Sequence, residues 1–180
     1  MRAFSVLIDR LVYTSSRNAK LKLIVDYLRA TPDTDRGWAL AALAGALDFP
    51  AVKSATIRNL MIERVDPVLY ALSRDYVGDS AETVSLLWPD PDAAGEAEPS
   101  LDEAVRALPV MTLSTVVADL TRMLDRLDAN GRYALIKMAT GAMRLYSRSG
   151  DNISHTFPEV AGALDFPAVL DGELLVRGAH

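Results

Sequence analysis

The sequence predicts a mainly α protein: an all-helical domain over residues 1–143 followed by a short α+β segment over 144–180. Three observations predict it. Apolar residues recur at helical spacing through most of the first 143 positions. Helix-start signals recur along the same stretch, at Asp66-Pro67, at Asp79 with Glu82 and at Ser100 with Glu103. After Arg144 the pattern breaks into short β-prone triplets separated by turn residues.

In chain order, Phe4, Leu7, Ile8 and Leu11 make the inward stripe of a first helix. Arg2, Asp9 and Arg10 among them set Met1–Tyr13 apart from a signal peptide. Beyond Tyr13-Thr14-Ser15-Ser16 a second helix is expected to reach Arg29, with Leu21, Ile24, Val25 and Leu28 inward, and Thr31-Pro32-Asp33 ends it. Trp38–Leu47 is rich in alanine and leucine and stops before Asp48-Phe49-Pro50. A helix over Val52–Glu63 precedes Asp66, an N-cap with Pro67 at the first helical position. The Asp79 and Ser100 capping boxes open two more. Between those boxes, Pro89–Pro99 is acidic and proline-rich, the best linker in the sequence, and is expected to be a mobile loop. Leu113–Leu127 and Tyr133–Met143 suit two further helices, separated by Asp128-Ala129-Asn130-Gly131.

Past Arg144, Leu145-Tyr146-Ser147 is strand-like, Gly150-Asp151-Asn152 is a turn, and Phe157–Leu164 suits one short helix. Ala168-Val169-Leu170 and Leu174-Leu175-Val176 flank Asp171-Gly172-Glu173. That is too few strands to fold alone. The nine residues Ala44–Val52 return identically as Ala161–Val169, but neither flank matches, so the identity reads as coincidence rather than a structural repeat.

Composition narrows the chemistry. With no cysteine, disulfides, thiolate metal sites and a cysteine nucleophile are excluded. No apolar run approaches the ~18 residues of a membrane-spanning helix, and the cytoplasm is the expected compartment. The net charge of −5 hides an uneven distribution. Residues 1–64 carry ten Lys/Arg against six Asp/Glu, residues 65–105 one against ten, and residues 106–180 eight of each. The first third is therefore the one basic face on which a phosphate backbone could lie. Dinucleotide, P-loop, serine-hydrolase and zinc-protease motifs are all missing. With only His155 and His180, a histidine metal cluster or a Ser-His-Asp triad is not expected, and His155 reads as a solvated loop residue.

Two strings stand out: Arg144-Leu145-Tyr146-Ser147-Arg148-Ser149-Gly150-Asp151, continuing to Phe157-Pro158-Glu159, and Leu170-Asp171-Gly172-Glu173-Leu174. In this order they resemble two successive nucleotidyltransferase motifs of bacterial ATP-dependent DNA ligases. The helical part adds to the likeness. Leu11–Lys20, Arg36–Leu40, Asp66–Leu69, Ser73–Asp79 and Gly131–Gly141 resemble stretches of the all-helical DNA-binding domain of such ligases. The resemblance implies a helical DNA-binding domain followed by a remnant of a nucleotidyltransferase domain, with ATP and Mg²⁺ as cofactors. Nicked double-stranded DNA would be the partner, no membrane would be involved, and a monomer is expected. Arg148 would contact nucleotide or DNA phosphate, since a guanidinium suits phosphate oxygens. Glu173 would hold the ribose or the metal ion. Asp-Gly-Glu standing alone would also suit a plain turn between strands. Arg17, Lys20 and Lys22 are the candidate DNA contacts, with a solvated helix face as the other reading.

The departure from the family matters equally. Such a ligase carries AMP on the lysine of a K-x-D-G motif, yet none of Lys20, Lys22, Lys53 and Lys137 is followed by x-Asp-Gly. Gly141-Ala142-Met143-Arg144 runs straight into Leu145-Tyr146-Ser147, where the family places that motif. The expectation is a truncated or internally deleted ligase polypeptide that keeps DNA binding and cannot adenylate itself, because the motif lysine that would serve as amine nucleophile in the nucleotide pocket is missing. A non-catalytic helical interaction module is the alternative.

Overall fold

A computed structural model describes residues 1–89 and 96–141, the side chain of Arg17 excepted. Among them run nine α-helices: α1 Arg2–Val12, α2 Arg17–Ala30, α3 Asp33–Leu43, α4 Ser54–Arg64, α5 Pro67–Val77, α6 Ser80–Leu87, α7 Leu101–Ala107, α8 Val116–Asp125 and α9 Ala129–Thr140. A 3-10 turn, Leu108–Val110, joins α7 to α8. The mainly α expectation holds, whereas the α+β segment expected over 144–180 lies outside the described residues.

The helix starts follow from their caps. The Asp66 carboxylate accepts from the amides of Val68 and Leu69 at 2.9 and 2.8 Å, with Pro67 at the first helical position. Asp79 accepts from Ala81 and Glu82 at 2.8 and 3.3 Å, and Ser100 from Glu103 at 3.0 Å. Each bond satisfies an amide that the helix leaves without a partner. The box at Ser100 is only half made, because the Glu103 carboxylate accepts from Arg126 at 2.6 Å.

Several boundaries differ from the sequence expectation. Helix α3 starts at Asp33 rather than Trp38, with Asp33 and Asp35 favourably placed in its first turn. Helix α8 starts at Val116 rather than Leu113, because Thr112 and Thr115 close a turn in which the Thr112 amide donates to the Thr115 hydroxyl at 3.1 Å. Asp128-Ala129-Asn130-Gly131 is not a separator but the N-cap and first turn of α9, with the Gly131 amide donating to Asp128 at 2.7 Å. In α2 the inward side is Leu23, Ile24, Tyr27 and Leu28, while Leu21 and Val25 stay 49% and 41% exposed. The helix leans chiefly on α1, through an edge-to-face contact of Phe4 with Tyr27 at 6.4 Å, so it covers only a narrow stripe.

The acidic linker is also corrected in part. Residues 90–95 lie outside the described residues, but residues 96–99 are docked. The Met1 ammonium donates to the Pro99 carbonyl at 2.6 Å, and Arg2 pairs with Glu98 at 3.4 Å. Arg126 donates to the Ala97 carbonyl at 2.8 Å. Composition flagged the acidity of this stretch but not the cations that meet it.

At the centre lies α9, against α1 on one side and α6 on another. Small residues (Gly131, Ala134 and Ala139) let its neighbours approach, and Leu135, Leu120, Leu124, Met61 and Val84 are fully buried around it. Arg132 is buried as well, and its Nε donates to the Leu124 carbonyl at 3.0 Å, at the negative end of α8. Both tryptophans share one arrangement. Trp38 donates its indole N–H to Asp102 at 2.7 Å, Arg106 pairs with the same carboxylate at 2.7 Å, and its guanidinium lies 5.8 Å from the indole centre. Trp88 donates to Asp125 at 2.8 Å, Arg64 joins that carboxylate at 3.2 Å and lies 4.6 Å from the ring. Each set adds charge-assisted hydrogen bonding to cation–π contact. The first set ties α3 to α7; the second ties α4 and the end of α6 to α8.

Candidate nucleic-acid interface

The DNA contacts expected from the sequence, Arg17, Lys20 and Lys22, fall on α2. Ser16 caps that helix by accepting from the Ala19 amide at 3.4 Å, and no acidic residue sits in the first turn. No acidic residue of the first turn of α2 therefore opposes the positive end of its dipole. Lys20 is exposed and, among the described residues, has no ion-pair partner. Lys22 is exposed too, but its Nζ bonds the Asp26 carboxylate at 2.8 Å. That hydrogen bond holds the Asp26 carboxyl below its ordinary range, helped by the charges of Lys22, Arg29 and Arg10.

Lys20 and Lys22 do not form one patch. With successive residues about 100° apart around a helix, Lys22 lies about 160° from Lys20. Lys22 instead joins Arg10 and Arg29 in a cationic group around a single acid, Asp26. Such an arrangement suits phosphate tracking from either flank of α2.

The remaining candidates divide simply. Arg148 and Glu173 lie outside the described residues. Among the described residues, no group of three His, Asp or Glu side chains could hold a metal ion, and no helix is long and apolar enough to cross a membrane. Lys137, the lysine nearest in sequence to Arg148, is engaged: its Nζ meets Asp79 at 2.6 Å and lies 5.5 Å from the Tyr133 ring centre.

Sequence reasoning missed one constellation. Arg58 of α4, Tyr70 and Arg74 of α5, and Ser80 of α6 line a cavity of about 320 Å³, which α9 closes through Thr140. These residues are scattered over four helices and carry no common spacing, so no linear motif could have found them. Compared with protein-family models, with curated proteins and with solved structures, the chain matches none.

Proposed function

We propose that this chain is a polypeptide of the ATP-dependent DNA ligase family which holds DNA through its helical part and lacks the lysine that carries AMP. The observation that carries this reading is the ordered pair of strings, Arg144–Asp151 and Leu170–Leu174, following the helical stretches that resemble the family's DNA-binding domain. The exposed cations of α2 support the DNA-holding half. In this reading Arg17 and Lys20 meet phosphates on one flank, and Lys22 with Arg10 and Arg29 meets them on the other. Arg148 and Glu173 would position ATP and Mg²⁺, but positioning does not replace a nucleophile.

The test is binding to nicked duplex DNA as salt is varied. Lys20→Ala should reduce the slope of log K against log salt by about one unit, whatever the duplex sequence. Lys22→Ala should change it less, because Asp26 already neutralises Lys22. No covalent AMP adduct should form with labelled ATP and Mg²⁺; an acid-labile adduct on any of the four lysines would sink the reading. A second reading, a non-catalytic interaction module, has its own support. Val68, Leu69, Leu72 and Tyr76 project from one face of α5, with Tyr76 93% exposed and Leu72 65% exposed. Salt-insensitive or absent DNA binding would favour that module.

A further inference from the structure

From the cavity bounded by α4, α5, α6 and α9 we infer a binding site for the phosphate group of a small phosphomonoester, formed by Arg58, Arg74, the Tyr70 hydroxyl and the open N-terminus of α4. The inference stands apart from the ligase reading, which places its DNA contacts on α2.

Two cations reach the cavity. Arg58 is exposed and, among the described residues, has no ion-pair partner. Arg74 is half-buried and shares its charge with Asp75 at 3.1 Å. Two guanidiniums at one cavity provide the donor-rich planar groups that phosphate recognition uses. The other nearby acid, Asp79, is already committed to capping α6 and to Lys137 at 2.6 Å, so it does not cancel them.

Backbone donors add to the side chains. Ser54 and Ala55 open α4 at the cavity, and the residue before them, Lys53, supplies no side-chain cap. The first amides of this 11-residue helix therefore lack partners among the described residues, and its dipole favours an anion at that end.

Tyr70 adds a donor that the protein leaves free. Its ring is buried, the residue being 3% exposed, and its hydroxyl has no hydrogen-bond partner among the described residues. That oxygen is not itself buried, so it stays open to the cavity and can donate to a ligand there. Burial pushes its pKa up while Arg74 and Arg58 pull it back, so both guanidiniums lie within electrostatic reach of that oxygen. A phosphate oxygen between them would accept from the phenol and both arginines together. The cavity volume of about 320 Å³ exceeds what a lone phosphate needs. It falls at the lower end of small-molecule sites, roughly 300–1,000 Å³. Ile57 and Ile136 give it an apolar wall for the carbon part of the ligand.

The experiment titrates the full chain with phenyl phosphate and with inorganic phosphate, followed by ³¹P line broadening. Saturable one-to-one binding of phenyl phosphate is expected. Arg58→Ala, an exposed position, should weaken it about tenfold, and Tyr70→Phe, which keeps the ring in place, about threefold. Helical circular dichroism confirms that both variants stay folded. Failure of phenyl phosphate to saturate, or equal binding by wild type and both variants, overturns the inference. A third arm follows nicked duplex DNA: loss of one unit of salt slope in Arg58→Ala without phosphomonoester binding would also overturn it and give the cavity to the DNA backbone.

Discussion

Replacing Asp125 by alanine removes a carboxylate oxygen shared by two partners from other parts of the fold. Trp88 donates its indole N–H to that oxygen at 2.8 Å and Arg64 its guanidinium at 3.2 Å. Trp88 is 4% exposed, so its N–H would be left buried and unpaired, at about 1–3 kcal/mol. The Arg64 and Asp125 side chains are 29% and 28% exposed, so their ion pair, partly screened by solvent, adds about 1 kcal/mol. Together the loss is about 3 kcal/mol, or a fall of roughly 10 °C in Tm for a chain of this size. Asp125→Asn keeps a carbonyl acceptor for the indole and loses only the charge, so it should cost about 1 kcal/mol. Urea and thermal unfolding, followed by helical circular dichroism and tryptophan fluorescence, measure both variants. If alanine and asparagine fall within about 0.5 kcal/mol of one another, the unpaired indole is not the main cost and the reasoning fails.

Other expectations follow from the same structure. Burial raises the Asp79 pKa, but the hydrogen bonds from Lys137 and from the amides of Glu82 and Ala81 outweigh it and hold the carboxyl below its ordinary value. A depressed folded pKa gives stability that is complete above the unfolded value of about 3.9 and is lost as pH falls through the folded value. The urea midpoint should therefore drop below about pH 4, and Lys137→Met should flatten that drop. Gly78 closes α5 at φ 76°, so Gly78→Ala should destabilise by about 1 kcal/mol. Gly37 sits inside α3 with open space around it, and Gly37→Ala should stabilise by roughly 0.5–1 kcal/mol. Chemical denaturation reads both, and matching signs would contradict the backbone argument. Arg126→Ala should release residues 96–99, so a glutamate-specific protease should cut after Glu96 faster than in the wild type; equal rates would show that Arg126 does not hold them.

What the sequence disclosed and what it withheld separate along physical lines. Phe4, Leu7, Ile8 and Leu11 were legible because one helix repeats its buried side at a fixed period, and Asp66 and Asp79 because a cap acts on its own helix. Leu21 and Val25 misled because periodicity reports an apolar stripe, not how wide a partner covers it. Asp128 through Gly131 looked like a loop, since cap residues and loop residues are the same residue types. The shared carboxylates of Asp102 and Asp125 and the docking of Glu98 on Arg2 join positions far apart in the chain, beyond the range of any local pattern. At the candidate interface, the sequence located the basic third. It could not show that Lys20 and Lys22 point to opposite sides of α2, or that Arg58, Tyr70 and Arg74 meet at one cavity.

Helix α1 lies against α9, the first helix of the chain against the last one described. During synthesis at about 5–20 residues per second, α1 emerges on the order of ten seconds before the surface it covers. In that interval Phe4 and Leu7 have α2 beside them, through the Phe4–Tyr27 contact, but not yet α9. Final closure therefore waits for nearly the whole helical region, and contacts so distant in sequence slow it further. Nascent chains that stall before α9 would expose the Phe4–Leu7 stripe, making them natural clients for chaperones and proteases that bind apolar helices.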